Sequence, residues 1–446
     1  MNESVWQKNA NLPQFSELKG DIKTDVLIIG GGLAGILTAF FLKEAGIDYI
    51  LVEKEKICGG TTKNTTGKIT FQHGFIYDKL ISALGTERAK MYLEANRNAT
   101  LKYRELAKEL SCDYEIKDNY VYSLDNRQKA EKEAVALEKL GCKAEFLEAV
   151  ELPLKIAGAV RVKGQAQFNP IKFVSQISNG LNIYENTFVT ELGENFALTK
   201  NGRITAKEII VATHFPFLNK HGSYFLKLYQ HRSYVLALEN APSFNGMYVD
   251  DEKTGLSFRN YGDLLLLGGG GHRTGKQGGN WKELSAFARV NFPKASEEYR
   301  WAAQDCMSLD DIPYIGNYSK STPNLYVMSG FNKWGMTGAM TAAMVITDML
   351  IGNNNPLSEV FNPSRSILKP QLLVNGFEAT ANLLTPTKKR CPHLGCALKW
   401  NPAEHSWDCP CHGSRFTKSG RLLENPANGD LKNKKDNSGF ILKDRK

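Results

Sequence analysis

The alternation of apolar and polar positions lays out several elements along the chain. Asp25 to Ile29 (DVLII) is a short apolar run of the kind that forms a buried parallel strand. Ala34 to Ala45 has helical periodicity and stops at Gly46, and Asp48 to Val52 is a second strand that closes on Glu53. Strand, helix and strand within so short a stretch make a βαβ unit. An amphipathic helix is predicted over Glu87 to Leu110. Strands are predicted over Ile183 to Leu192 and Phe196 to Thr213, with an Asn201-Gly202 turn. Leu325 to Met328 is a further strand, followed by a glycine turn and a helix from about Met336, and Pro370 to Leu384 is another helix. The longest uncharged run, Val26 to Leu42, contains a glycine cluster and is too short to span a bilayer. The first residues are polar and lack the apolar core of a signal peptide. The expectation is a protein of the cytoplasm with no membrane span.

Chemistry enters at the first turn. Gly30, Gly32 and Gly35 stand in G-x-G-x-x-G spacing between strand and helix. Gly30 permits the tight turn, Gly32 admits a pyrophosphate to the backbone, and Gly35 lets the helix pack on the strand. The helix N-terminus at Leu33 and Ala34 offers free N–H groups to phosphates. Glu53, followed by Lys54, is placed to accept both ribose hydroxyls, which favours an unphosphorylated ribose, as in FAD or NAD. The loop Cys58 to Gly74 is rich in Gly, Thr and Asn; its Thr61, Thr62, Thr66 and Lys68 are further candidates to hold an extended ligand. The glycine-rich run Leu264 to Gly275 is not a second such site. From Gly268 the third glycine would fall on Arg273, from Gly269 on Thr274, and from Gly270 the second would fall on His272.

At 446 residues the chain has room for about two to four structural units. The net charge of +9 is uneven: Phe361 to Lys446 holds 15 Lys and Arg against 7 Asp and Glu. A nearly neutral remainder argues against nucleic-acid binding by the whole protein, and points to a separate basic C-terminal unit, whose Lys432, Lys434 and Lys435 read as a solvated face or, alternatively, as a docking site for an acidic electron carrier. Cys58, Cys112, Cys142 and Cys306 are scattered. Cys391, Cys396, Cys409 and Cys411 crowd together with His393 and His412. The pattern C-x-H, fifteen residues, C-x-x-H suits either a structural zinc or a Rieske [2Fe–2S] centre.

Longer motifs carry two resemblances. DVLIIGGGLAGILTAFFL, EIIVAT, WAAQDCMSLDDIPYIG and GFNKWGMTGAM make the chain from about 21 to 352 resemble the D-amino-acid oxidase (DAO) family of FAD-dependent oxidoreductases. The resemblance implies an α/β, Rossmann-like FAD-binding domain (about 21–90, 150–221 and 300–352) interleaved with an α+β substrate domain (about 91–149 and 222–299). It implies FAD with adenine and pyrophosphate at Gly30 to Gly35 and Glu53. It also implies Val189 beside the adenine, Ala212 and Thr213 near the ribityl–phosphate region, and Gly330, Gly335, Met336 and Thr337 at the flavin's pyrimidine edge.

CPHLGC and CPCHGSRF are similar to the Rieske proteins of cytochrome bc complexes. That resemblance implies a small all-β module at 386–446, after an N-terminal extension (1–20) and a linker helix (353–385) at the two ends of the flavin domain. It implies Cys391, His393, Cys409 and His412 as cluster ligands, a Cys396–Cys411 disulfide, and Ser414 bonded to a bridging sulfide. Phe416 stands where high-potential members carry Tyr. The frame is short, so the module is expected to lean on the flavin domain.

Lys68, His272 and Lys333 are the candidate catalytic residues. His73, Arg232 and Tyr234 are further candidates near the flavin, Arg232 as a clamp for a substrate carboxylate, and Cys306 as a flavin tether; the ordinary alternatives are surface or backbone-capping roles, a solvated arginine and a small buried cysteine. The resemblances imply an amine or amino-acid dehydrogenase acting by hydride transfer to flavin, with electrons passing to the cluster and then to an external acceptor. The alternative is an electron-transfer or redox-sensing protein without a small-molecule substrate.

Overall fold

The computed structural model describes residues 3–8, 11–218, 221–252 and 255–431; Lys432, Lys434 and Lys435 lie outside them. No described helix is long and apolar enough to cross a membrane. Three sheets organise the described residues.

The first sheet runs in the order Tyr314–Asn317, Leu325–Ser329, Arg203–Val211, Ile22–Ile29, Tyr49–Val52 and Ile183–Tyr184. Its strands are parallel except for the first, and Val189–Leu192 and Phe196–Thr199 hang from it as an antiparallel ribbon. The central strands are buried on both faces, as a parallel sheet requires. Register puts Ile29 opposite both Val52 and Val211, so Gly30, Glu53 and Ala212 emerge together at the carboxyl edge. Helix Leu33–Glu44 follows and ends at Gly46, whose φ of +70° is the left-handed stop expected of a glycine. It packs against the last long helix of this domain, Gly335–Leu350.

The second sheet has nine strands, in the order Ser296–Ser308, Leu228–Glu239, Leu264–Arg273, Ser257–Tyr261, Met247–Asp250, Glu115–Ser123, Gly158–Gln167 and Lys68–Ile69, with Glu145–Leu147 beside Gly158–Gln167. The glycine run is thus strand, not a nucleotide turn. Its apolar face packs on helix Asn280–Asn291 through Trp281 and Leu284. Helix Thr86–Leu106 reaches back to the first domain, where the Tyr103 hydroxyl donates to the Met336 carbonyl at 3.0 Å. In the N-terminal extension, buried Trp6 donates its indole N–H to the Thr65 carbonyl at 2.7 Å, which props the Thr-rich loop from behind.

Helix Pro370–Leu384 leads to the third sheet, four short antiparallel strands at Lys399–Asn401, Ser406–Asp408, Arg415–Thr417 and Leu422–Glu424. This module rests on both domains. Its loops sit against the edge strand Ser296–Ser308, its neighbour Leu228–Glu239 and the segment after Val211.

Candidate functional site

A cavity of about 700 Å³ lies where the carboxyl edge of the first sheet faces the second sheet. Gly30, Gly32, Leu33 and Ala34 line it, with Glu53, Lys54 and Val189 near them in the fold. Gly30 has φ +115°, and a Cβ there would sit 2.6 Å from the Ala212 oxygen; a Cβ on Gly35 would sit 2.0 Å from the Gly30 oxygen. Both positions need glycine for the turn itself. Gly32 differs: the nearest atom to an added Cβ is Thr62 Oγ1 at 3.6 Å, so its missing side chain leaves space on the cavity side. The Leu33 N–H donates to Thr62 Oγ1 at 3.1 Å. Glu53 accepts the Gly31 and Glu55 N–H groups at 2.7 and 3.0 Å, and burial raises its pKa. A nucleotide pyrophosphate fits this edge: open backbone, a helix N-terminus and a fixed carboxylate.

Farther along the wall stand Thr61, Thr62, Thr66 and Lys68, then Ala212 and Thr213, then Lys333, Gly335 and Met336. The first turn of helix Gly335–Leu350 opens on the cavity, and its leading N–H groups have no acceptor inside the helix. His73 braces that turn. Its Nε2 meets Thr337 Oγ1 at 2.9 Å, its Nδ1 meets the Tyr92 hydroxyl at 2.7 Å, and its ring stacks on Trp334 at 5.0 Å. Burial lowers its pKa to about 3, so the ring is neutral. Thr337 donates to the Thr70 carbonyl.

Lys68 Nζ donates to Thr66 Oγ1 at 3.3 Å and to Ser257 Oγ at 3.5 Å. Burial, then the charge of Arg259, lowers it to about 7. Asp305 also lines the cavity; burial raises its pKa while Lys333 and His214 oppose the rise. His214 has φ +67°, and its Nε2 is buried without a hydrogen-bond partner among the described residues.

Tyr234 also lines the cavity, and the remaining sequence candidates lie off the wall. Gly35 and Thr337 are packed behind it, and Gly330, at φ +74°, turns the chain ahead of the helix. His272 stands behind Tyr234, bonded to its hydroxyl at 2.9 Å and stacked on its ring. Cys306 is buried against Ser329, with its thiol pushed up to about 12 by burial. Arg232 faces the C-terminal module instead of a ligand. It bonds Glu404 through Nε at 3.0 Å and through Nη2, and Glu424 through Nη1 at 3.2 Å. Arg415 binds the same two carboxylates at 2.8 and 3.3 Å, and Asp408 at 3.0 Å. Burial alone would raise Glu404, but the two guanidinium groups overcome it and hold the acid at about 2.

In the module, the loops at Cys391 to Cys396 and Cys409 to Ser414 face each other and are tied by a Cys396–Cys411 disulfide. The Cys391 and Cys409 thiols are buried, and hydrogen bonding from Cys409 lowers that of Cys391. The His393 and His412 rings stand edge to face, 4.9 Å apart. Burial lowers them to about 4 and about 3. They are therefore neutral, the form a metal needs. The His412 Nδ1 is buried with no hydrogen-bond partner among the described residues. Ser414 Oγ accepts the Ala427 N–H at 3.0 Å and bonds the Cys391 thiol. Two thiols and two neutral imidazoles at adjoining loops fit a cluster with two Cys on one iron and two His on the other.

The two sites share a wall. Leu422 to Asn425, Ala427 and Asn428 of the module line the cavity. Gln230 Nε2 donates to the His412 and Asn425 carbonyls, both at 2.9 Å, and Gln304 Nε2 to the Gly413 carbonyl at 2.9 Å. Arg273 donates to the Pro410 and Cys411 carbonyls at 3.1 and 3.2 Å. Thr213 lines the cavity, and two residues on, the Phe215 ring lies 6.4 Å from His393 and 6.2 Å from His412. Sequence reasoning missed Phe215, Gln230, Gln304 and Asn425. The only local signal was the aromatic pair in HFPF directly after EIIVAT.

A family model described as FAD dependent oxidoreductase (DAO) matches residues 25–349, and one described as Rieske [2Fe-2S] domain matches residues 371–435. The chain is 33% identical over 493 residues to the Rieske 2Fe-2S iron-sulfur protein YhfW of Bacillus subtilis (strain 168), covering 96% of this chain and 97% of that one. It is 25% identical over 386 residues to gamma-glutamylputrescine oxidoreductase of Escherichia coli (strain K12), covering 78% of this chain and 89% of that one. Among solved structures, L-proline dehydrogenase from P. horikoshii superposes with a TM-score of 0.66 at 15% identity, covering 78% of this chain and 98% of that one, which is a likeness of fold.

Proposed function

The chain belongs to the DAO family of FAD dependent oxidoreductases and carries a C-terminal Rieske [2Fe-2S] domain, and from that premise we propose that it is a dehydrogenase of amines or amino acids whose electrons leave through the cluster to an external acceptor. One observation carries this reading: the cofactor cavity and the cluster loops share a wall, with Thr213 on one side and Phe215 against both histidine rings. Similarity to gamma-glutamylputrescine oxidoreductase supports the amine side of it.

When bound, FAD accepts a hydride and the [2Fe–2S] cluster accepts electrons one at a time. The chain's residues divide the remaining work. Gly30, Gly32 and Glu53 hold the nucleotide end. The N-terminus of helix Gly335–Leu350, braced by His73, holds positive potential at the far end, where negative charge develops. Lys68, with its amine largely neutral above pH 7, takes the proton from a substrate ammonium and leaves the free amine that hydride loss requires. Lys333 and Asp305 orient the substrate from the opposite wall. His272 acts as a positioning residue through the Tyr234 hydroxyl. Gln230, Gln304, Arg273 and Asn425 hold the cluster loops against the cavity.

The test is an anaerobic stopped-flow screen of amines and amino acids that follows flavin and cluster absorbance together. The expected result is flavin bleaching by one substrate class, followed by cluster reduction. Reduction by a carrier protein alone, with every amine and amino acid inert, would overturn the reading in favour of a relay without a small-molecule substrate.

A further inference from the structure

Helix Pro370–Leu384 is turned inside out. An amphipathic helix on a protein surface packs its apolar face inward. Here Asn375, Glu378 and Asn382 face the protein, and the two asparagines are each 6% exposed. Asn375 accepts from Arg273 at 2.9 Å and donates to the Leu226 carbonyl, Asn382 donates to the Glu378 carbonyl, and Glu378 pairs with Lys276 at 2.8 Å. The outward stripe is apolar: Leu373 is 77% exposed, Phe377 72% and Leu384 77%, spaced i, i+4, i+11. Leu368, Val374 and Leu383 widen it. An exposed apolar patch of this kind, rimmed by charge, marks an interaction surface.

Its chemistry selects the occupant. The rim is cationic: Lys369 precedes the helix and Lys388, Lys389 and Arg390 follow it. The single acid within the helix, Glu378, is turned inward onto Lys276. The stripe is aliphatic with one Phe and presents no Trp, Tyr or Arg anchor, the residues that dominate protein–protein hot spots. It is a protruding helix face that fits a fluid apolar layer under anionic head groups, where apolar area and lysine charge add. The face is also continuous with the cluster loop. Arg390 donates to the Leu383 and Gly395 carbonyls at 3.1 and 2.8 Å, and Leu394, next to His393, is exposed beside it.

We propose that helix Pro370–Leu384 docks the protein on an anionic lipid surface, its Leu373, Phe377 and Leu384 entering the interface and Lys369, Lys388 and Lys389 resting on the head groups. This surface stands independently of the electron-transfer reading, and lipid binding is measured without turnover.

The experiment is co-sedimentation of the full-length, cofactor-loaded protein with phosphatidylcholine vesicles, with and without phosphatidylglycerol. Binding is expected only with phosphatidylglycerol, and it weakens as salt rises. The variant Leu373→Ser/Phe377→Ser/Leu384→Ser binds about a hundredfold more weakly, and Lys388→Glu/Lys389→Glu about tenfold more weakly, both with flavin and cluster spectra unchanged. Should the triple variant lose its spectra, Phe377→Ser alone still weakens binding about tenfold. Absence of binding to both vesicle types, or variants that bind like the parent, would overturn the proposal. So would a concentration-dependent dimer in light scattering that the triple variant dissociates, which assigns the stripe to a second copy.

Discussion

Asn425 donates its side-chain amide to the Thr213 carbonyl at 2.7 Å, and to that of Phe215 at 2.9 Å. One side chain of the C-terminal module thus fixes the segment that lines the cofactor cavity at one end and touches the cluster histidines at the other. Replacing it with alanine leaves two carbonyls short of a donor, at a cost of about 1–3 kcal/mol each where buried. Asn425→Ala is expected to slow cluster reduction while substrate reduces the flavin at its former rate. Stopped-flow traces at the two absorbance bands separate these steps, and equal slowing of both contradicts a joint that acts only between the sites.

Arg232 holds the module to the second sheet. Arg232→Met removes one of the two buried guanidinium partners of Glu404, Arg415 remaining, and is expected to cost about 1.5–3 kcal/mol, the worth of a hydrogen bond to a charged group. Scanning calorimetry should show the module's transition falling away from that of the flavin domain. The pH dependence has a definite sign. Glu404 is held at about 2 against an ordinary 4.5, so its stabilisation is complete above pH 4.5 and is lost as pH falls toward 2. Fluorescence of Trp407 and Trp400 through an acid titration follows the loss. A module that stays docked to pH 2 contradicts this account.

Lys68 titrates near 7 in the folded protein, where burial and Arg259 disfavour its charge. As the base that deprotonates substrate, it makes kcat/KM rise through about pH 7. Lys68→Met is expected to lower kcat/KM by about 10²–10⁴-fold. It should also move the rise upward to the substrate's own amine pKa. A profile that keeps its inflection near 7 in the variant assigns that titration elsewhere.

His412→Ala and Cys409→Ser each remove one proposed ligand of the cluster. Both variants should purify with flavin but with little iron or acid-labile sulfide, and substrate should still bleach the flavin. Cys396→Ser opens a loop closed across 15 positions and is expected to lower module stability by about 3 kcal/mol. Zinc in place of iron and sulfide in the parent protein would reverse the cluster assignment.

Much of this protein was legible along the chain because the information is local. The turn at Gly30 and Gly35 is dictated by contacts within one βαβ unit. The proposed cluster ligands Cys391, His393, Cys409 and His412 lie in two short loops, where the resemblance to Rieske proteins singles them out. The helices over Leu33–Glu44, Gly335–Leu350 and Pro370–Leu384 follow from periodicity alone. Periodicity does not say which face turns inward, and so it did not reveal that the last of these exposes its leucines. Arg232 illustrates the other limit. A lone arginine in a strand reads equally well as a substrate clamp or a structural ion, and only the fold brings Glu404, 172 residues away, to its guanidinium. His272 and Tyr234, Asn425 and Thr213, and Phe215 and His412 are likewise pairs made by packing between distant strands and loops. Backbone turns and ligand motifs depend on near neighbours and are written in order along the chain. The wall between cavity and cluster depends on three sheets meeting, so tertiary packing alone decided it.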